Sequence, residues 1–339
     1  MKNIVVIGHA PAAHAAVRAL LDRDPTLAIT LISCDGQLPY DKTLLPGLID
    51  RSVKEAGIFC APEDMYRAAR VELILDKEIS RVNFNRKRVF LADKVQVDFD
   101  GLIITDAPQI QWPQLKGIRR QGVFHLARLS MVKDLVRYLA FTETALVEAS
   151  GFGGIKAALA LKAAGKDVVV AYSGDNLLAG LISAARAQAL TAALLKRGIR
   201  VMAGGVEDVI GEVEVKAVRL KSGKVVACDM FVLENVKPDL RFLSDTGLAM
   251  DERIPVDIFL RSNIPGVLAV DVVARLEQPE FRGEYWLDAR TGSVQARAAV
   301  DGFLGEGRAL TPVDIAQADI LDTLFDPLEL VPVMSEAAV

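Results

Sequence analysis

The chain has 339 residues, a length that predicts two or three domains and excludes a single small module. Apolar residues make up 51% of the sequence and charged residues 25%, which excludes a disordered or low-complexity protein. The 40 lysines and arginines are outnumbered by 44 acidic residues, and the resulting net charge of −4 argues against nucleic acid as a partner.

The sequence carries no signal for export or for a membrane. No basic and apolar leader precedes the first strand-like segment, and charges interrupt each apolar run before the roughly 18 residues that a membrane span needs. We therefore expect a cytoplasmic protein without a membrane partner. Cys34, Cys60 and Cys228 are too far apart in the sequence for a redox pair or a zinc cluster, and their odd number argues against a disulfide framework.

The N-terminal residues predict a strand, a helix and a second strand. The β-branched run at residues 3–7 predicts the first strand, the alanine-rich segment at 12–21 the helix, and residues 28–32 the second strand. Gly8 lies between the first strand and the helix. This order is typical of the βαβ unit that opens a nucleotide-binding domain.

The same order returns in the second half of the chain. It comprises a strand at 145–148, a glycine-rich turn at 150–154, a helix at 155–164 and a strand at 167–171. Each unit is followed by alternating segments that predict antiparallel strands, at residues 78–97 and 207–233. Residues 239–260 look irregular, 264–269 predict a buried strand, and 293–303 predict a helix.

These patterns predict an α/β protein with two Rossmann-like dinucleotide-binding domains of three layers (ββα), the second inserted in the first. The first domain is assigned to residues 1–110 and 240–307, and the second to residues 111–239. Residues 308–339 form a short C-terminal tail that is too small for a third domain.

The first turn stands where a GxGxxG motif would bind pyrophosphate, but it keeps only Gly8. Ala10 puts a methyl group where phosphate approaches the backbone, and Ala13 is a milder change where the helix packs. His9 could donate a hydrogen bond to a phosphate from this turn. After the second strand, Asp35 is the carboxylate that could accept ribose hydroxyls, one residue later than usual.

The second turn, at residues 149–154, keeps the second and third glycines of the motif, so the closest approach of a phosphate is preserved. The strand that follows ends without a carboxylate for a ribose or an arginine for a 2′-phosphate. Tyr172 at that strand end could stack on an adenine, or it could be an ordinary aromatic residue at a strand end. The histidines form no metal-ligand set, and no motif for acyl transfer, zinc hydrolysis or P-loop chemistry is present.

Taken in order, these motifs resemble the FAD-dependent pyridine nucleotide-disulfide oxidoreductase superfamily, especially its rubredoxin reductase, ferredoxin reductase and nitrite reductase flavin-domain branch. The likeness covers roughly residues 1–305. The segments that carry it are residues 3–13, 38–45, 151–155, 247–251, 264–269 and 286–297. The resemblance implies that FAD lies along the first unit and NAD(P)H on the second. It also implies hydride transfer to the flavin and electron transfer to an iron-sulfur or rubredoxin-like acceptor.

The resemblance also implies two sets of cofactor contacts, although it nominates no catalytic residue. The FAD set follows the first turn, the end of the second strand and the C-terminal helix start, and comprises Gly8, Ala10, Pro11, Ala12, Ala13, Cys34, Asp35, Lys42, Asp271, Val272 and Gln295. The NAD(P)H set follows the second turn and comprises Gly151, Phe152, Gly153, Gly154 and Tyr172.

Several ligand-contacting positions depart from the family pattern. Its alanine-threonine-glycine turn is Thr105-Asp106-Ala107 here, and its glycine-aspartate pair falls on Asp271-Val272. Glu234-Asn235 puts charge near the expected nicotinamide, Gly47 replaces a lysine near the flavin, and the usual interface domain is reduced to the tail. Two main hypotheses remain open: an NAD(P)H:acceptor oxidoreductase, or a cofactor-poor paralogue that serves as a structural or regulatory subunit of a redox complex. A third, NAD(P)-dependent chemistry without flavin, has no candidate catalytic residue.

Overall fold

The computed structural model describes residues 2–33, 35–107, 109–234, 237–277 and 289–305, with the backbone alone at residues 109 and 289–291. The predictions made for Cys34 and for the tail at 308–339 lie outside the described residues. In the described part of the chain, no helix combines the length and the apolar character that crossing a lipid bilayer requires.

The first unit begins as a parallel sheet because its central strands are apolar runs that are buried on both faces. Its N-terminal elements are β1 (Asn3–Ile7), α1 (Pro11–Arg23), β2 (Ala28–Ser33), α2 (Glu63–Ala68), β3 (Glu72–Leu75), β4 (Ile79–Asn83), β5 (Arg88–Leu91), β6 (Gln96–Asp98) and β7 (Gly101–Ile104). Strand β8 (Gln109–Gln111) then leaves the unit. Strands β4, β5 and β6 form an antiparallel sheet, as the alternation at residues 78–97 predicts.

The second unit repeats this plan. Its elements are β9 (Val123–His125), α3 (Leu129–Tyr138), β10 (Thr144–Glu148), α4 (Phe152–Ala163), β11 (Asp167–Tyr172), α5 (Ala184–Lys196), β12 (Arg200–Ala203), β13 (Val206–Ile210), β14 (Ala217–Leu220), β15 (Val225–Ala227) and β16 (Met230–Leu233). Strands β13, β14 and β15 form the second antiparallel sheet, and β16 joins the parallel sheet beside β10.

The chain then returns to the first unit. Strand β17 (Lys237–Asp239) pairs antiparallel with β8, so the two connections between the units lie side by side. The remaining elements are β18 (Ile254–Val256), β19 (Val267–Ala269), β20 (Ala274–Leu276) and α6 (Ala289–Phe303). Strand β19 adds to the edge of the first sheet beside β7, and α6 packs against α1.

The two parallel sheets have equivalent strand orders. The first runs β3-β2-β1-β7-β19 and the second runs β12-β11-β10-β16-β9. The strand before the glycine turn is central in each sheet. Strand β1 lies between β2 and β7, and β10 lies between β11 and β16. This order confirms the prediction of two Rossmann-like units in an α/β protein.

The hydrophobic core follows the two units, with one exception. The first cluster draws on the elements before β8 and after β17, and two further clusters fill the second unit. The exception is the segment after β2, residues 40–58, because Tyr40, Leu45, Ile49 and Ile58 pack into the core of the second unit. This segment therefore holds the two units together. The domain limits inferred from the sequence stay a prediction.

The predicted elements agree with the structure where an apolar run or a glycine turn marks them. The strands of both βαβ units and the helices that follow are confirmed, although α4 begins at Phe152 and not at 155. The irregular interpretation of residues 239–260 is wrong in two places, because a short helical turn at Arg241–Leu243 and strand β18 lie there. This strand has three residues, too few for a hydrophobic period to be seen.

Candidate functional site

The turn between β1 and α1 is held closely against the end of β7. Gly8 has a φ of +143°, and a Cβ at this position would overlap the Thr105 hydroxyl, so the turn requires glycine. Thr105 donates from its hydroxyl to the Ile7 carbonyl at 3.0 Å. Helix α1 begins at Pro11 with Ala10 as its N-cap, and no side chain caps its first amides.

The side chains of Asp106, Lys42 and His9 meet behind this turn. Asp106, which follows β7, is buried and forms an ion pair with Lys42. His9 is 2% exposed, and its Nε2 atom lies 3.5 Å from Asp106 Oδ2. The Nε2 atom has no hydrogen-bond partner among the described residues. The backbone N–H of Ala107 donates to Asp106 Oδ1 at 2.8 Å. The cluster is built from β1, β7 and the segment after β2.

The environment sets the charge states of His9 and Asp106. Burial and the charge of Lys42 together lower the pKa of His9 to about 3, because the opposing effect of Asp106 is smaller, so the ring is neutral at pH 7. Burial alone would raise the pKa of Asp106, but Lys42, His9 and the hydrogen bonds hold it below its usual value. Asp106 is therefore an ionised carboxylate behind the first turn.

The carboxylate predicted to meet a ribose lies at the junction of the two units. Asp35 Oδ2 accepts a hydrogen bond of 2.5 Å from the Tyr40 hydroxyl, and Asp35 Oδ1 lies 3.4 Å from Arg128 Nη1. The same hydroxyl accepts from the backbone N–H of Leu129, at the start of α3, at 3.0 Å. Burial raises the pKa of Asp35. Tyr40 thereby joins the end of β2 to the first turn of a helix in the other unit.

A second carboxylate of the first unit lies at the C-terminal helix. Asp271 follows β19, is buried and has a φ of +60°, a conformation that usually favours glycine. Its Oδ2 atom lies 2.7 Å from the point where a Cβ on Gly292 would stand. The backbone N–H of Asp271 donates to Gln295 Oε1 at 2.8 Å. Two predicted contact residues, Asp271 and Gln295, are thus brought together, while Val272 packs partly buried against the core.

The turn between β10 and α4 holds a carboxylate of its own. Glu234, which follows β16, accepts hydrogen bonds from the backbone N–H of Gly151 at 2.7 Å and of Ser150 at 3.2 Å. Cβ atoms on Gly151, Gly153 and Gly154 would lie 2.6–2.8 Å from the Glu234 carboxylate oxygens. Burial raises the pKa of Glu234 to about 7, although these backbone amides oppose the shift.

The sequence identified the positions of these groups better than their contacts. Lys42 pairs with Asp106 beside Gly8, and the predicted residues of the second turn lie together at the start of α4, whereas Tyr172 is a partly buried residue at the end of β11. Tyr40 and Arg128 were missed as members of the site. A buried tyrosine hydroxyl needs a partner, but only the fold reveals that its partners are Asp35 and Leu129.

Comparison with known proteins places this architecture in a family. The profile described as pyridine nucleotide-disulphide oxidoreductase matches residues 2–300. Rhodocoxin reductase of Rhodococcus erythropolis is 25% identical over 308 residues, which cover 89% of this chain and 72% of that protein. The benzene 1,2-dioxygenase ferredoxin–NAD(+) reductase subunit of Pseudomonas putida is 24% identical over 80% of this chain and 67% of its own length. Human apoptosis-inducing factor 3 is 25% identical over 79% of this chain and 44% of its own.

Solved structures share the fold at lower identity. The ferredoxin reductase for the CYP199A2 system of Rhodopseudomonas palustris matches with a TM-score of 0.84 at 19% identity, over 92% of this chain and 78% of that one. The NADH:rubredoxin oxidoreductase of Clostridium acetobutylicum matches with a TM-score of 0.75 at 20% identity, over 91% and 77% of the two chains. Both similarities extend across the first and second units.

Proposed function

The chain belongs to the pyridine nucleotide-disulphide oxidoreductase family, and on that premise we propose that it is an FAD-dependent oxidoreductase that uses NADH or NADPH and passes electrons to a protein acceptor. Members of this family contain FAD and depend on NAD(P)H. When bound, the flavin supplies the redox chemistry, and the protein supplies binding, orientation and electrostatics. The observation that carries the proposal is the duplicated architecture, with two equivalent sheets that each present a turn and a helix start.

The first unit retains donors for the phosphates of a flavin dinucleotide. His9 Nε2 is buried without a hydrogen-bond partner in the described part of the chain. In the neutral tautomer that carries its proton on Nε2, the ring can donate to a phosphate oxygen. Lys42 brings a positive charge to the same turn. Asp106 opposes the fit, because a phosphate would have to share Lys42 with this carboxylate. We assign FAD to this turn, with His9 and Lys42 as its phosphate partners.

In the second unit, a carboxylate of the chain already occupies the backbone donors of the turn. The amides of Ser150 and Gly151 are the donors that a nicotinamide nucleotide would use at the start of α4, and Glu234 already accepts from both. Binding of the nucleotide's phosphates to these amides therefore requires that Glu234 leave the turn.

The acceptor proposed here is a small iron-sulfur or rubredoxin-like protein. The support is similarity to rhodocoxin reductase and to a ferredoxin–NAD(+) reductase subunit, whose names specify rhodocoxin and ferredoxin. The alternative, a cofactor-poor subunit of a redox complex, is not favoured by these relatives. One observation supports the cofactor-poor subunit: the chain's own carboxylates, Asp106 and Glu234, lie at the turns before α1 and α4.

Small molecules released from the purified, denatured protein distinguish the two functions. The proposed oxidoreductase is expected to purify yellow and to release FAD in an amount close to that of the protein chain, identified by mass spectrometry. A colourless protein that releases no flavin, and that does not take up added FAD, would contradict the proposal and favour the cofactor-poor subunit.

A further inference from the structure

Each unit places a carboxylate close to its glycine turn. In each sheet, the strand beside the one that precedes the turn is followed by an acidic residue, Asp106 two residues after β7 and Glu234 directly after β16. The first carboxylate is neutralised by Lys42. The second has no lysine or arginine within ion-pair distance among the described residues and is stabilised by backbone N–H groups instead.

Glu234 has the contacts that a phosphate oxygen would make at this turn. Helix α4 begins after Gly151, and no side chain of its own first turn caps it. Glu234 supplies the missing acceptor from the end of β16, 83 residues later in the sequence. The positive end of the helix and the free amides favour an anion at this point, and a carboxylate satisfies both.

The glycines of the turn leave room for Glu234 and for little else. Because Cβ atoms on Gly151, Gly153 and Gly154 would lie within 2.8 Å of its carboxylate oxygens, the space that glycine provides for a ligand is taken by this side chain. A phosphate group and an ionised Glu234 would also repel each other strongly in such a partly buried place. The carboxylate and a nucleotide phosphate therefore exclude one another.

We propose that Glu234 is a built-in competitor for the dinucleotide phosphate, which keeps the second unit closed until the side chain is displaced. This inference rests on the proposed function, since it assumes that the α4 turn is where the nicotinamide nucleotide binds. The measured association constant for the nucleotide is the intrinsic constant multiplied by the fraction of molecules in which the turn is open.

The test is equilibrium binding of ADP-ribose and of NADH to the full chain and to its Glu234 variants, measured by calorimetry. Glu234→Ala removes the competitor, so both ligands are expected to bind at least about tenfold more tightly than to the unaltered protein. Glu234→Gln keeps an acceptor without the charge and is expected to gain less. Glu207→Gln, at an exposed site on β13 of the same unit, is the matched control and is expected to bind as the unaltered protein does.

Thermal unfolding without nucleotide checks that the variants fold. Glu234→Ala is expected to melt at a lower temperature because α4 loses its cap, so tighter binding by a less stable protein would separate competition from a general effect on folding. If the alanine variant does not fold, the glutamine variant carries the test. Affinities that stay unchanged or become weaker in the folded Glu234 variants would overturn the proposal.

This experiment needs neither flavin nor electron transfer, which keeps it separate from the test of the proposed function. A protein that contains FAD and is reduced by NADH, but whose Glu234 variants bind no more tightly, would overturn the competition alone. A protein without flavin whose Glu234→Ala variant gains affinity would overturn the oxidoreductase and leave the competition standing.

Discussion

His9 has its ring enclosed by the turn after β1, 5.5 Å from the ring of Tyr40 between centroids, and its Nε2 atom faces Asp106. In the folded protein the His9 ring is neutral at pH 7, because burial and the charge of Lys42 both disfavour the imidazolium. Its Nε2 atom has no hydrogen-bond partner in the described part of the chain. The ring is thus a pH-sensitive element of stability, and it is the group proposed above as a donor to a phosphate.

The pH dependence of unfolding tests this charge state. The pKa of His9 is about 3 in the folded chain and 6.5 when unfolded, so the unfolded state binds more protons below pH 6.5 and stability falls as the pH drops toward 3. Between pH 7 and pH 5 this residue is expected to cost about 2 kcal/mol of the free energy of unfolding. His9→Gln is expected to remove that part of the slope in urea titrations.

His14→Gln serves as the control, because that ring is less buried and hydrogen-bonds to the Tyr66 hydroxyl at 2.8 Å. It is expected to change the slope less than His9→Gln does. An identical pH dependence in the unaltered protein and the His9 variant would mean that His9 is not neutral and buried as described.

Among the elements, the segment at residues 40–58 has two attachments. Its apolar side chains, among them Leu45 and Ile58, belong to the core of the second unit, while Lys42 pairs with Asp106 of the first. A buried carboxylate that loses its cation is costly, since desolvation is no longer offset. This pair therefore anchors the segment as well as setting the charge behind the first turn.

Replacement of Lys42 tests this anchor. Lys42→Met is expected to lower the free energy of unfolding by about 3 kcal/mol, because Asp106 stays buried without a partner, and addition of Asp106→Asn is expected to recover most of the loss. Lys77→Met breaks an exposed pair with Asp93 and is expected to cost much less, because solvent screens that pair. Equal losses for the two lysine variants in urea unfolding would contradict the buried ion pair.

The elements that carry the sites could be read from the sequence, and the contacts between them could not. An apolar run followed by Gly8, and a second followed by Gly151, identify both strand-turn-helix units, because the periods of strands and helices are local properties. Asp106 and Glu234 stood out as departures from the family pattern. Their partners did not, because Lys42 lies 64 residues before Asp106 and Gly151 lies 83 before Glu234, separations that only the folded sheets bring together.

At the scale of the whole molecule, the chain combines a shared architecture with altered binding turns. The family profile spans both units, and the ferredoxin reductase of Rhodopseudomonas palustris superposes over 92% of the chain. Fold alone does not determine chemistry, so the redox function depends on the groups at the two turns. At the first turn, His9 and Lys42 lie beside Asp106, and at the second, Glu234 accepts from the backbone amides.

Anaerobic titration of the purified protein with NADH and with NADPH, followed by its visible absorbance, tests the oxidoreductase proposal most directly. The account predicts a flavin band that one of the two nucleotides bleaches at millimolar concentration, and that returns when an oxidised iron-sulfur protein or rubredoxin is added. A flavin band that neither nucleotide bleaches, in a protein that dithionite does reduce, would contradict it.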